Sequence, residues 1–177
     1  MGQGIGRFAY RKVEHMSDSE TRSGEIKPRP EDVASPEAII KALYDTISGP
    51  AGKRNWYRER SLFLPGARLI PIGNRIHGEG GLHVMTVDEW IEEVTPFFAE
   101  NDFWEKEVVC HMDRFGKMIQ AFSTYEARDR EEGPPIARGI NSIQLLHHAD
   151  RWWVVSVMWD NESKDNPIPG EFEPYLW

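Results

Sequence analysis

The spacing of apolar residues changes period once along this chain. From Ser35 to about residue 95 they recur every three or four positions, and from Trp104 onward they alternate or cluster between turn residues. The first pattern is that of helices with one buried face, the second that of strands. Ile39, Ile40, Leu43 and Ile47 form one helical stripe. Ser35-Pro36-Glu37 opens it with a capping serine, a proline at the first helical position and an acid in the first turn. Gly49-Pro50 ends it. A second helix is expected over residues 53–63, with Trp56, Arg60 and Phe63 on one face. Pro65-Gly66 makes a turn, residues 67–72 a short strand, and GNRIHGEGG a glycine-rich loop. Thr86-Val87-Asp88-Glu89 has the form of a capping box. It opens a third helix whose Trp90, Ile91 and Val94 face inward and which Pro96 limits. Residues 104–115, 117–128, 138–147 and 151–160 then read as four antiparallel strands, with tight turns at Gly116 and Ala149-Asp150.

Helices segregated from an antiparallel sheet define an α+β domain. It is expected over residues 35–165. Residues 1–34 are polar, with too few apolar side chains for a core, and read as a flexible arm. Residues 166–177, rich in proline and aromatics, read as an extended tail that packs on a surface or a second subunit.

A length of 177 residues suits one domain with a real core, and seven tryptophans can bury large surfaces. The net charge of -8 has no basic stripe to offset it, which argues against nucleic acid and anionic membranes as partners. No run approaches the roughly 18 apolar residues of a membrane span, and the start has no apolar secretory segment. The expectation is a soluble cytoplasmic protein. The single cysteine, Cys110, lies in an apolar run and reads as a small core residue. His147 and His148 are neighbours that point apart, and His77, His83 and Glu79 share a loop. Neither group offers three or four convergent ligands, so no metal and no cofactor are expected.

The blocks SLFLPGARLIPI, FSTYEAR, ARGINSIQLL and RWWVVSVMWD, in this element order, resemble the nuclear transport factor 2-like superfamily, and more narrowly its SnoaL-like members. The resemblance spans about residues 35–165. It implies a cone: a curved, mainly antiparallel sheet wrapped around three N-terminal helices, enclosing a cavity. It also implies a homodimer formed through the sheet. Members include ketosteroid isomerase, scytalone dehydratase, polyketide cyclases and limonene epoxide hydrolase, beside transport proteins with no chemistry, so the fold does not decide the function.

Strand alternation sorts the polar residues of the last two strands. With Ala149-Asp150 as the turn, His147 is expected opposite Trp152, Ile143 opposite Ser156 and Asn141 opposite Met158. Asn141, Ser156 and Asp160 then share the concave face, and Ser142, Gln144, Val157 and Trp159 the other. These groups either converge on a ligand or are satisfied by the backbone. His111 in VVCHMDRF is a candidate general base or a hydrogen-bonded structural residue. Tyr44-Asp45 stand in the first helix, as a tyrosine–aspartate pair does in scytalone dehydratase. The candidate catalytic residues are therefore Asp45, His111 and Asp160. The candidate ligand contacts are Tyr44, Trp56, Tyr125, Asn141, Trp152 and Ser156. Three functions stay open: cofactor-free acid–base chemistry (isomerase, dehydratase, cyclase or hydrolase) on a small hydrophobic, oxygen-bearing molecule, non-catalytic binding of such a molecule, or a dimeric interaction module with a filled cone.

Overall fold

The computed structural model describes residues 26–73 and 80–174. Its helices start where capping side chains can satisfy their first amide groups. Helix α1 (Pro36–Ile47) begins with the Ser35 hydroxyl accepting from the Ala38 amide at 3.1 Å. Helix α2 (Trp56–Leu62) begins later than residue 53, because the Asn55 side chain caps it, accepting from Arg58 N at 3.0 Å. Helix α3 (Val87–Glu100) has both halves of the Thr86–Glu89 capping box. Pro96 lies inside α3, on an exposed position, and does not end it. Before α1, Pro30–Val33 form a single 3-10 turn that buries Asp32 and Val33, so the end of the polar arm is packed. Residues 1–25 lie outside the described residues.

Five strands form one mixed sheet in the order β1-β5-β4-β3-β2. They are β1 (Phe63–Ile72), β2 (Trp104–Phe115), β3 (Met118–Arg128), β4 (Ala137–His148) and β5 (Arg151–Asn161). The last four are antiparallel, and β1 joins β5 in parallel. Strand β1 starts before the expected residue 67; Pro65-Gly66 fall within an irregular stretch between Phe63 and Arg68. At the β4–β5 turn Ala149 and Asp150 have φ of 50° and 57°. Both central residues are left-handed, as a two-residue hairpin turn matched to strand twist requires. The helices cover the concave face, where Ile39, Ile40, Val94, Ile143 and Val154 are fully buried.

Two bulges decide which side chains face inward. In β5 the register passes from Leu145↔Val154 to Gln144↔Ser156, leaving Val155 unopposed. Beyond it Asn141 lies opposite Trp159, not Met158. One extra residue reverses every later side chain. Asn141 thus stays concave and gains Val157 and Trp159 as neighbours, while Ser156 and Asp160 turn outward. This corrects the uniform alternation expected above. In β2 the register passes from Glu107↔Tyr125 to Val109↔Thr124, leaving Val108 unopposed. Glu105 and Glu107 therefore share the inner face with Tyr125, and His111 turns outward with its partner Phe122.

The tail runs over the outer face. Phe172 packs on His111 and Phe122, its carbonyl accepts from Thr124 Oγ1 at 2.8 Å, and Glu173 pairs with Arg138 at 2.5 Å. Phe122 and Met158 remain exposed on that face.

Gly139 is where three strands crowd together. A Cβ there would collide with the Tyr125 hydroxyl and the Asp160 carbonyl. The carbonyl belongs to the β4–β5 ladder, and the hydroxyl is held by its bond to Asn161. Gly139→Ala is expected to destabilise the fold by about 3 kcal/mol, the upper range for overpacking. Urea unfolding measures this; a loss under about 1 kcal/mol would show that the strands yield there.

Candidate functional site

Between the helices and the concave sheet face a cavity of about 100 Å³ remains. Ile47, Glu105, Trp159 and Asn161 line it and are half-exposed, so they mark its rim. Leu43, Phe63, Leu69, Trp90, Phe98 and Phe103 make most of the inner wall apolar. Into this wall the fold places Tyr44, Glu59, Glu105, Tyr125, Asn141 and Asn161.

Tyr44 follows Ile40 by one helical turn, so it shares the buried stripe of α1. Its hydroxyl meets Ser123 Oγ at 2.7 Å and receives the Asn141 Nδ2 hydrogen at 3.0 Å. Ser123 Oγ donates to Glu107 Oε2 at 2.5 Å. A serine hydroxyl has one hydrogen. With that hydrogen on Glu107, Ser123 accepts from Tyr44, and the chain runs from Asn141 through Tyr44 and Ser123 to Glu107. Tyr125 likewise donates to Asn161 Oδ1 at 2.5 Å. Burial, then the nearby Glu105 carboxyl, pushes both phenols well above their usual range.

Glu105 follows the buried Phe103 by two residues on the edge of β2. Its stem is at the rim and its carboxyl turns in toward Asn141. Burial pushes that carboxyl up to about 8, against the pull of the Asn141 amide. Glu59, on α2, is only 2% exposed. Burial pushes it up to about 7, while the Thr46 hydroxyl and the Arg58 charge pull the other way. The geometry agrees. Thr46 Oγ1 lies 2.8 Å from the Leu43 carbonyl and also in contact with Glu59 Oε2. Its one hydrogen cannot serve two acceptors. A protonated Glu59 resolves this by donating to Thr46, which donates to Leu43.

Of the sequence candidates, the fold brings Tyr44, Tyr125 and Asn141 to the cavity. Trp56 packs against Trp90 and Phe98, each at 5.9 Å, and Trp152 against His147 at 5.1 Å; neither lines the cavity. Ser156 is on the outer face, donating to Gln144 at 3.0 Å. The three proposed catalytic groups are elsewhere. Asp45 lies on the outer side of α1, paired with Lys41 at 2.6 Å and Arg58 at 3.6 Å. His111 is exposed outside, 5.3 Å from the Phe172 ring. Asp160 faces away from the cavity, 3.4 Å from Asn166 Nδ2. The bulges account for His111 and Asp160; Asp45 is one residue off the buried stripe. The two acids of the cavity, Glu59 and Glu105, escaped sequence reasoning. Among the described residues no cluster of three or more His, Cys, Asp or Glu could hold a metal; His77 and Glu79 lie outside them. No helix among the described residues is long and apolar enough to cross a membrane.

No family model and no curated protein matches the sequence. Solved structures do match. A protein of unknown function with a cystatin-like fold from Nostoc punctiforme shares 7% identity over 73% of this chain and 95% of its own, with a TM-score of 0.55. A protein of unknown function from Mycobacterium tuberculosis shares 11% over 76% of this chain and 74% of its own, with a TM-score of 0.55. LinA shares 11% over 76% of this chain and 90% of its own, with a TM-score of 0.50. NTF2-like proteins of unknown function also match, at lower TM-scores. The fold class is thus an α+β cone, with helices packed inside a curved sheet. The architecture is that of the cystatin-like fold of the Nostoc protein.

Proposed function

We propose that the cone binds a small, largely apolar molecule bearing an oxygen function and moves a proton on it without a cofactor. One observation carries this reading: two carboxyls, Glu59 and Glu105, line one aromatic cavity with proton affinities near neutrality. Proton transfer is most efficient when the catalytic group titrates near the working pH. Burial raises both carboxyls toward the neutral range, so each can hold or release a proton there. One can give a proton while the other takes one, the common requirement of isomerisation, dehydration and cyclisation. Tyr44 and Asn141 act as positioning residues, because their hydrogen bonds hold the polar wall in place.

Size narrows the ligand. Pockets for drug-sized molecules run from about 300 Å³ upward, and a dry cavity of about 150 Å³ holds benzene. At about 100 Å³ this cavity is smaller than that, and it suits a compact molecule of no more than about benzene's bulk.

The test uses small cyclic ketones, enones and tertiary alcohols in deuterated water, followed by NMR for deuterium uptake or loss of water. Wild type is expected to turn over at least one class, and Glu105→Gln to lose about 100-fold or more while still binding it. If wild type and variant bind alike and neither reacts, the cone is a carrier and the catalytic reading falls.

A further inference from the structure

The charge balance of the cavity has a direction. Its described lining holds two carboxyls and no lysine, arginine or histidine. It also holds seven aromatic rings, those of Phe63, Trp90, Phe98, Phe103 and Trp159 plus the two phenols. The cations nearest to it are committed elsewhere. Arg58 makes two bonds of 2.7 Å to Asp32, and Arg54 gives its hydrogens to the carbonyls of Ile47, Gly49 and Pro50 while its guanidinium lies 4.8 Å from the Phe98 ring centre, which leaves six rings to a ligand.

A site that stabilises negative charge needs donors aimed at the developing oxyanion. Neither phenol has a proton to offer: Tyr44 gives its own to Ser123, and Tyr125 to Asn161. The Asn141 amide is turned to Tyr44 and Glu105. Positive charge meets the opposite reception. Aromatic rings attract a cation through their electron-rich faces, most strongly when water is excluded, and an ionised carboxylate adds to this.

We infer that the cavity selects positive charge, so that the molecule it holds is cationic when bound or becomes cationic in the transition state. This rests on the functional reading above and narrows it to reactions through a protonated or carbocationic species. For an alcohol the step balances as follows. A carboxyl proton goes to the hydroxyl oxygen. The C–O bond breaks with both electrons on oxygen, and water leaves. The second carboxylate takes a proton from the adjacent carbon, and that C–H pair becomes the double bond.

A cation must also draw protons out of the site. Glu105 faces Tyr44 of α1, Tyr125 of β3 and Glu107 of its own strand; among the described residues the charged group acting on Glu59 is Arg58, on its own helix. Both phenols stay neutral through the accessible range, so Glu59 and Glu105 are the groups that can release protons.

Three probes of similar bulk settle the sign: tetramethylammonium, neutral tert-butanol and anionic pivalate, titrated calorimetrically into the full chain. Tetramethylammonium is expected to tighten at least tenfold between pH 6 and pH 9 and to release protons, read from buffers of different ionisation enthalpy. tert-Butanol should bind more weakly with no such dependence, and pivalate not at all. The wild-type proton release needs no variant. Glu105→Gln, which keeps the shape of the neutral acid, should abolish part of it. Tighter binding of tert-butanol or pivalate at pH 8, or cation binding without proton release, overturns the inference and leaves the pocket reading standing. Binding of none of the three overturns both.

Discussion

Replacing Arg58 with alanine is expected to lower stability by about 3 kcal/mol, the cost of leaving a buried charge without its partner. The Arg58 guanidinium grips Asp32 with two parallel bonds of 2.7 Å, and the two side chains are only 16% and 6% exposed. This pair ties the 3-10 turn before α1 to the start of α2, next to Glu59. Arg58→Lys should recover only part of the loss, because an ammonium cannot form the fork. Asp32→Asn with Arg58→Leu should lose less than Arg58→Ala alone, since no charge remains buried. Urea unfolding at pH 7 measures all three, and an alanine variant within about 0.5 kcal/mol of wild type would mean that the pair is solvated. The acid side gives a second check. The Arg58 hydrogen bonds hold Asp32 below its ordinary 3.8. A depressed carboxyl stabilises above its unfolded value and loses that contribution as pH falls through its folded value. Wild type should therefore lose stability below about pH 4 in a step that the double variant lacks.

Much of the fold was legible because local chemistry and global structure agree. Ser35-Pro36-Glu37 and Thr86–Glu89 cap the helices they announce. Ala149-Asp150 makes the turn expected of it. The interior polarity was harder to read, for two physical reasons. Alternation assigns faces only while the ladder is regular, and Val155 and Val108 each insert one residue. Hence Trp159 was expected outside and lies inside, and Ser156 and Asp160 the reverse. The second reason is that acids are read as surface groups by default. Glu59 sits in WYRERSL, which looks solvated, yet it follows Trp56 by three residues and precedes the buried Leu62 by three. Helical spacing was the available signal. Glu105 likewise alternates with the buried Phe103. In both cases an acid in phase with an aromatic packed on the core was the clue, and the bland reading of a charged residue concealed it.

The same two acids make the site costly, and Glu59→Gln exposes that cost. Glu59 titrates from an ordinary 4.5 in the unfolded chain to about 7 in the fold, because burial disfavours its charge. Between those values the native state holds more protons than the unfolded state, so stability falls as pH rises and levels off above both. A shift of this size corresponds to about 3 kcal/mol. Glutamine mimics the neutral acid and can still donate to Thr46, but it never ionises. At pH 5, just above the unfolded value, the variant should exceed wild type by less than about 1 kcal/mol. At pH 8 it should be more stable by about 3 kcal/mol, or roughly 6–12 °C in Tm for a chain of this size. Glu105 acts in the same direction, so a smaller slope should survive in the variant and vanish only when both acids are replaced. Parallel stability curves for wild type and Glu59→Gln from pH 5 to pH 8 would place Glu59 in contact with water and remove it from the proton-transfer pair. Divergent curves would mean that the fold keeps a buried acid at a loss of stability which glutamine avoids. Such a loss is expected of a group retained for its proton, since packing alone would be served by the amide.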